Sequence, residues 1–365
     1  MDPPESLPEA IQSLIKTYAD LNPSTITELT SEPSPLEFMR YVAQNRPFVV
    51  RGGARDWPAA RKWDAEYLER VMGDQEVNVA ITPLGNADSV TLDHGNNCTY
   101  FVKPLERTEP FNKVLSYIRR QELEDLPGVI KYAQTQNDNL PNEYAPLTPD
   151  VPPSIPFARI ALEQPSPDAL NLWIGNSRSV TALHKDGYEN IYVQIAGEKH
   201  FVLLPPSEAA CVNETRVRGA TYVHSSVNGK EEDGSDRAEV QEGHEEKRVE
   251  DENKVERMIS LDIQPDEPEE YIPFPTWDPD IPAKNATPYS HLSKPMRVSL
   301  QPGDMLYLPA LWYVIPSPIP SLTTPYPRIQ ILILEQVSQS VAVDQPRRHL
   351  RSRELLVRLH LLSPV

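Results

Sequence analysis

"TALHKDGYEN" spans Thr181–Asn190 and sets a histidine and an aspartate two positions apart, His184 and Asp186, behind an apolar run. In an extended chain successive side chains alternate between faces, so His184 and Asp186 point one way and Lys185 the other. One imidazole and one carboxylate aimed at one point suit iron(II) or another borderline divalent metal. The same spacing also fits a plain His–Asp hydrogen bond in a polar patch. The pair alone leaves both readings open.

The flanking pattern is β. "ALNLWIG" from Ala169, "SVTALH" from Ser179, "NIYVQIAG" from Asn190 and "KHFVLLPP" from Lys199 are short runs bounded by Gly, Asn or Pro. Such strands at close spacing predict a sandwich or barrel. "MRVSLQPGDMLYLPALWY", Met296–Tyr313, adds two strands around a Pro-Gly turn. Apolar positions at helical spacing predict helices over 8–21, 35–44 and 108–123, and "YLERVMG" from Tyr67 predicts another. "RPFVVRGG" from Arg46 and "EVNVAIT" from Glu76 predict strands. The chain therefore reads as mainly β with flanking helices and a helical region over 1–45.

Alternation puts Lys199, Phe201 and Leu203 on one face and turns His200 away. A lysine facing the inside of a barrel is costly unless an anion meets it, and a bound carboxylate would do so. Thr181 and Asn190 are small hydrogen-bonding groups on the same sheet. Tyr132 follows an apolar run and precedes a polar turn in "LPGVIKYAQTQNDNLP".

Bulk properties narrow the field. The 39 prolines among 365 residues argue against a helical bundle. A net charge of −18 gives no basic footprint for nucleic acid. Cys98 and Cys211 make no disulfide framework and suit a reducing compartment. No secretory pattern opens the chain, and no run approaches the ~20 apolar residues of a membrane span. These features predict a cytoplasmic or nuclear protein with no membrane partner. Residues 226–257 are highly charged and almost free of large apolar groups, which predicts a disordered acidic insertion.

Taken together, "VTALHKDGYENIYVQIAGEKHFVLLPP", Val180–Pro206, resembles the core of the JmjC (jumonji C) 2-oxoglutarate oxygenases. The shared features are a Thr before the His-x-Asp, an Asn after it, a Lys fifteen positions beyond the His, and a closing Pro-Pro. "RPFVVRGGARDWPAARKW" and "PGDMLYLPALWY" extend the resemblance, which is strongest to the branch of small bifunctional peptidases and lysyl hydroxylases. It implies a double-stranded β-helix (jelly-roll, cupin-like) barrel, a single domain over 1–343. It implies Fe(II), with His184 and Asp186 as two arms of a three-ligand site, and 2-oxoglutarate as cosubstrate. Lys199 would take the distal carboxylate, Thr181 and Tyr132 would add hydrogen bonds to it, and Asn190 would sit near the metal end. The implied reaction is hydroxylation of a lysine on a protein partner such as a GTPase, with no direct nucleic-acid contact.

The resemblance then breaks. Its third metal ligand, a histidine, should follow Tyr313, where this chain has Val314. Residues 314–336, "VIPSPIPSLTTPYPRIQILILEQ", read as an insertion, either a loop or translated intron. Valine codons begin with GT and glutamine can be CAG, which favours the intron. "VSQS" at 337–340 resumes the family pattern, and 344–365 is a basic tail unlike it. Incomplete C-terminal strands and impaired catalysis are expected. His200, His224, His291, His349 and His360 offer no substitute ligand. A binding module without catalysis is the alternative. A peptidase reading finds no serine or cysteine with a readable His and acid partner.

Overall fold

The computed structural model describes residues 6–136, 138–225, 260–317 and 329–338. The acidic stretch 226–257 and the tail 344–365 lie outside the described residues, as do His244, His349 and His360.

Two sheets face each other. One has six strands in the order Thr27–Leu29, Phe48–Val50, Met305–Leu308, Glu189–Ala196, Gln330–Val337, Ala169–Gly175. The other has four, in the order His184–Lys185, Tyr313–Ser317, Lys199–Leu204, Met296–Leu300. All these pairings are antiparallel except the first pair of the larger sheet. Period-two alternation fills the space between them. Trp173, Tyr192, Leu306, Leu332 and Leu334 from the large sheet meet Phe201, Leu203, Val298, Leu300 and Val314 from the small one. Each such buried side chain contributes about 1.5–3 kcal/mol. The outer face of the large sheet presents Ile191, Val193, Tyr307, Ile331 and Ile333 to the helices. Phe38 of Pro35–Gln44 and Phe157 of Pro156–Ala161 cover it, with rings 5.1 Å apart. Facing sheets with helices on one side are the expected jelly roll.

The helices follow their local signals. Ser34 Oγ accepts from Glu37 N at 3.2 Å and starts Pro35–Gln44, and Asn45 ends it in the left-handed region at φ 49°. Asp64 caps Ala65–Met72 in the same way.

Three expectations need correction. The C-terminal strands are not incomplete: both ends of the 314–336 block lie in the sheets. Tyr313–Ser317 sits between two strands of the small sheet, and Gln330–Val337 pairs with Glu189–Ala196 on one side and Ala169–Gly175 on the other. The run "QILILEQV" suits that place because a central strand is buried on both faces and needs no polar alternation. The helical region 1–45 contains a strand, Thr27–Leu29, recruited by the edge of Phe48–Val50. "SVTALH" is not one strand but two short pieces, Val180–Thr181 and His184–Lys185, in different sheets.

A three-stranded sheet, Leu105–Pro110, Glu76–Thr82 and Ile130–Tyr132, brings Tyr132 to the jelly roll. There Ala133 bridges Ile174.

Candidate functional site

His184 and Asp186 sit at the open end of the small sheet, each about one-fifth exposed. His184 Nε2 lies 3.9 Å from Asp186 Oδ2. The imidazole is oriented from behind: Nδ1 is 2.8 Å from the Ala182 carbonyl. A carbonyl only accepts, so Nδ1 donates to it, and Nε2 is the ring nitrogen left facing Asp186. The carboxylate is oriented too. Asn190 Nδ2 donates to Asp186 Oδ2 at 2.8 Å, and Gln336 Nε2 donates to Asn190 Oδ1 at 3.4 Å. Lys185 turns outward, as alternation predicts, and pairs with Glu214 at 2.8 Å beside Tyr313.

The third position is decided by register. Val314 stands directly opposite His184 in the antiparallel ladder and opposite Leu203 on its other side. Side chains of directly opposed residues share a face, with Cβ atoms about 5 Å apart. Val314 is fully buried in the interior cluster. The turn before it fixes this register. Trp312 Nε1 donates to Asn45 Oδ1 at 2.6 Å, and Leu311 N donates to the Asp186 carbonyl at 2.7 Å. Among the described residues no group of three or more His, Cys, Asp or Glu could hold a metal. His184 and Asp186 supply two oriented donors, and the place for a third is taken by an isopropyl group. The donor set therefore does not fit a three-ligand iron site.

Further along the interior lies a buried lysine. Lys199 is 2% exposed. Its Nζ donates to Tyr132 Oη at 3.1 Å and lies 5.3 Å from the centre of that ring. Among the described residues Lys199 has no carboxylate partner, and burial alone lowers its pKa to about 8. Burial likewise raises the pKa of Tyr132, so its phenol stays protonated. The Trp173 indole N–H lies in the same buried cluster with no acceptor.

The structure thus brings His184 to Asp186 and Lys199 to Tyr132. Asn190 bonds to Asp186. Thr181 is half-buried on the short strand beside Asn86–Ala87, and among the described residues its side chain makes no hydrogen bond. His200 faces Ser299 and Glu198, His224 contacts Arg107, and His291 is exposed; none reaches the site. The sequence does not single out Gln336, which lies in the 314–336 block that departs from the family pattern. Alternation in "ALNLWIG" turns Trp173 to the face opposite Leu172 and Ile174, into the interior. Cys211 is no hidden nucleophile: it is buried, donates to the Tyr289 carbonyl, and desolvation pushes its pKa up to about 12.

Comparison with known proteins agrees with this architecture. Residues 33–314 match the cupin-like domain family. The chain is 35% identical to the human bifunctional peptidase and (3S)-lysyl hydroxylase JMJD7, over 80% of its length and 79% of the relative's. It is 32% identical to JmjC domain-containing protein E of Dictyostelium discoideum, over 78% and 76% of the two chains. It is 30% identical to lysine-specific demethylase JMJ32 of Arabidopsis thaliana, over 83% and 80%. The chain belongs to the cupin-like JmjC family, whose members are 2-oxoglutarate oxygenases.

Proposed function

We propose that this chain is a protein lysyl hydroxylase of the Fe(II)- and 2-oxoglutarate-dependent kind whose turnover is impaired by Val314. The observation that carries the reading is the rung pairing His184 with Val314, which puts a side chain with no lone pair where the family's third ligand would stand. Lys199, with Tyr132 beside it, would hold the distal carboxylate of 2-oxoglutarate through a charge-assisted bond. In a complete centre, iron and 2-oxoglutarate supply the oxidising chemistry that hydroxylates a C–H bond. The names of the human and Arabidopsis relatives support lysine in a protein as the substrate class, and a GTPase is the partner to try first.

A second reading is a binding module without catalysis. The absence of any three-donor group among the described residues favours it.

Succinate release from 2-oxoglutarate, with Fe(II) and a lysine-containing GTPase peptide, tests the proposal. The chain as written should turn over far more slowly than the Val314→His variant. Equal turnover in both would refute the missing-ligand reading, and none in either would leave the binding module. The substitution must be made alone, because Gln330–Val337 is a central strand and deleting the block would open the large sheet.

A further inference from the structure

Helix Leu7–Leu21 carries more apolar surface than the protein covers. At about 100° per residue, its apolar side chains sweep an arc of roughly 160°, from Leu21 at one edge through Tyr18 to Ile15 and Ala19 at the other. One half of that arc is used. Ile15 is fully buried, Tyr18 and Ala19 are half-buried, and the helix rests on Pro206–Cys211 and Ser290–Leu292. The other half is bare. Leu7, Leu14 and Leu21 are 75%, 59% and 78% exposed. Ala10 and Thr17, which lie between them, are exposed as well. These five residues keep the a and d spacing of a coiled-coil seam. The charged residues Glu9, Lys16 and Asp20 keep to the remaining face. Single exposed leucines are ordinary, but three in line on one helix make a patch of roughly 400 Å², a size that marks interaction surfaces.

The stripe is symmetric about its middle residue. Leu7 and Leu21 each stand seven positions from Leu14, so the pattern reads the same in both directions. Such a surface is self-complementary under a two-fold axis. Turned antiparallel about an axis through Leu14, it sets Leu14 against Leu14 of a second copy and Leu7 against Leu21. Ser13, the polar neighbour of Leu14, is uncharged, so no like charges meet on the axis. We infer that helix Leu7–Leu21 is the interface of an antiparallel homodimer of this chain. Two such stripes bury roughly 800 Å² together, less than the roughly 1,200 Å² of a standard stable interface. The pairing is therefore weak and reversible, with a Kd on the order of 10–100 μM. It uses no residue of the interior and stands apart from the reading of Val314.

Sedimentation velocity of the full chain over about 2 to 200 μM tests the pairing. The sedimentation coefficient should rise with concentration from the monomer value towards that of a dimer. Leu14→Glu brings two carboxylates together on the axis and should raise the Kd roughly thirtyfold or more. Because Leu14 is exposed, the melting temperature of the dilute chain should not change. Disulfide cross-linking reads the orientation, in a Cys98→Ser background because Cys98 is exposed and Cys211 is buried. Leu14→Cys should cross-link to its own copy. Leu7→Cys and Leu21→Cys should cross-link poorly alone and readily when mixed. A monomer at every concentration would overturn the inference, and a lowered melting temperature of its Leu14→Glu variant would then place the stripe under another part of the same chain. A dimer that Leu14→Glu leaves intact would lie on another surface and overturn it too. Leu7→Cys joining its own copy in preference to Leu21→Cys would make the pairing parallel and refute the antiparallel arrangement.

Discussion

His184 and Val314 face each other across one rung of an antiparallel ladder, and both project into the jelly-roll interior. That relationship turns one substitution into a test of the whole site. Val314→His should raise Mn(II) affinity by roughly tenfold or more, since a third ligand is added to two that are already oriented. The larger side chain at a fully buried position should cost about 1–3 kcal/mol. Mn(II) titration followed by electron paramagnetic resonance measures the first effect and urea denaturation the second. A folded variant with unchanged Mn(II) affinity would show that Val314 does not occupy the ligand position.

Lys199→Met should stabilise the ligand-free chain at pH 7. The substitution removes a buried cation that has only a phenol as partner and keeps most of the side-chain volume. The gain should be on the order of 1–3 kcal/mol in urea unfolding. Destabilisation would mean that the ammonium is fully satisfied within the protein.

The same group sets a pH dependence. The folded-state pKa of Lys199, about 8, lies below its ordinary value of 10.5. A carboxylate pairs with the ammonium and not with the free amine. Affinity for 2-oxoglutarate should therefore be constant below about pH 8 and weaken as pH rises through it, approaching tenfold per unit. In the ligand-free chain the unfolded state holds this proton longer, so the Lys199 contribution to stability rises with pH between about 8 and 10.5. Titrations between pH 6.5 and 9.5 check the first effect, and affinity unchanged across that range would count against Lys199 as the anchor.

Glu335 predicts a stability effect of opposite slope. Its side chain is buried on the helix-facing side of Gln330–Val337. Oε2 accepts from Ile155 N at 2.8 Å, and Oε1 has no partner. Burial raises its pKa from 4.5 to about 7. The folded state holds the proton more tightly, so its contribution is fully present below about pH 4.5 and is lost as pH rises through about 7. Glu335→Gln should leave stability near pH 4.5 almost unchanged. At pH 8 it should raise stability by up to roughly 3 kcal/mol. Parallel melting-temperature curves for the two chains would expose the error if they failed to diverge above pH 6.

Much of the fold was legible because its causes are local. The helices over 7–21 and 35–44 follow from apolar spacing and caps. The inward direction of Lys199, Phe201 and Leu203, and the outward direction of Lys185, follow from period-two alternation. The strand Gln330–Val337 is not legible, for the opposite reason. Its Pro-rich neighbourhood departs from the family pattern, and nothing local says that an apolar run will find a vacant place between Glu189–Ala196 and Ala169–Gly175. The buried network in which Asp150 accepts from Lys62, Trp63 and Tyr67 was equally invisible, because its parts lie more than eighty positions apart.

By itself the sequence determined the chemistry on offer: an imidazole and a carboxylate sharing one face, a lysine turned inward, and a valine where a histidine was expected. These are properties of residue type and of the two-residue repeat of a strand, so they need no knowledge of distant contacts. Only the tertiary structure decided what meets what. Tyr132 reaches Lys199 across 67 positions of chain. Val314 reaches the rung of His184 because the turn pinned by Trp312 and Asn45 sets the register. Register between strands far apart in sequence is fixed by packing and turn geometry, and a slip of one residue would have turned Val314 out of the interior and Tyr313 into it.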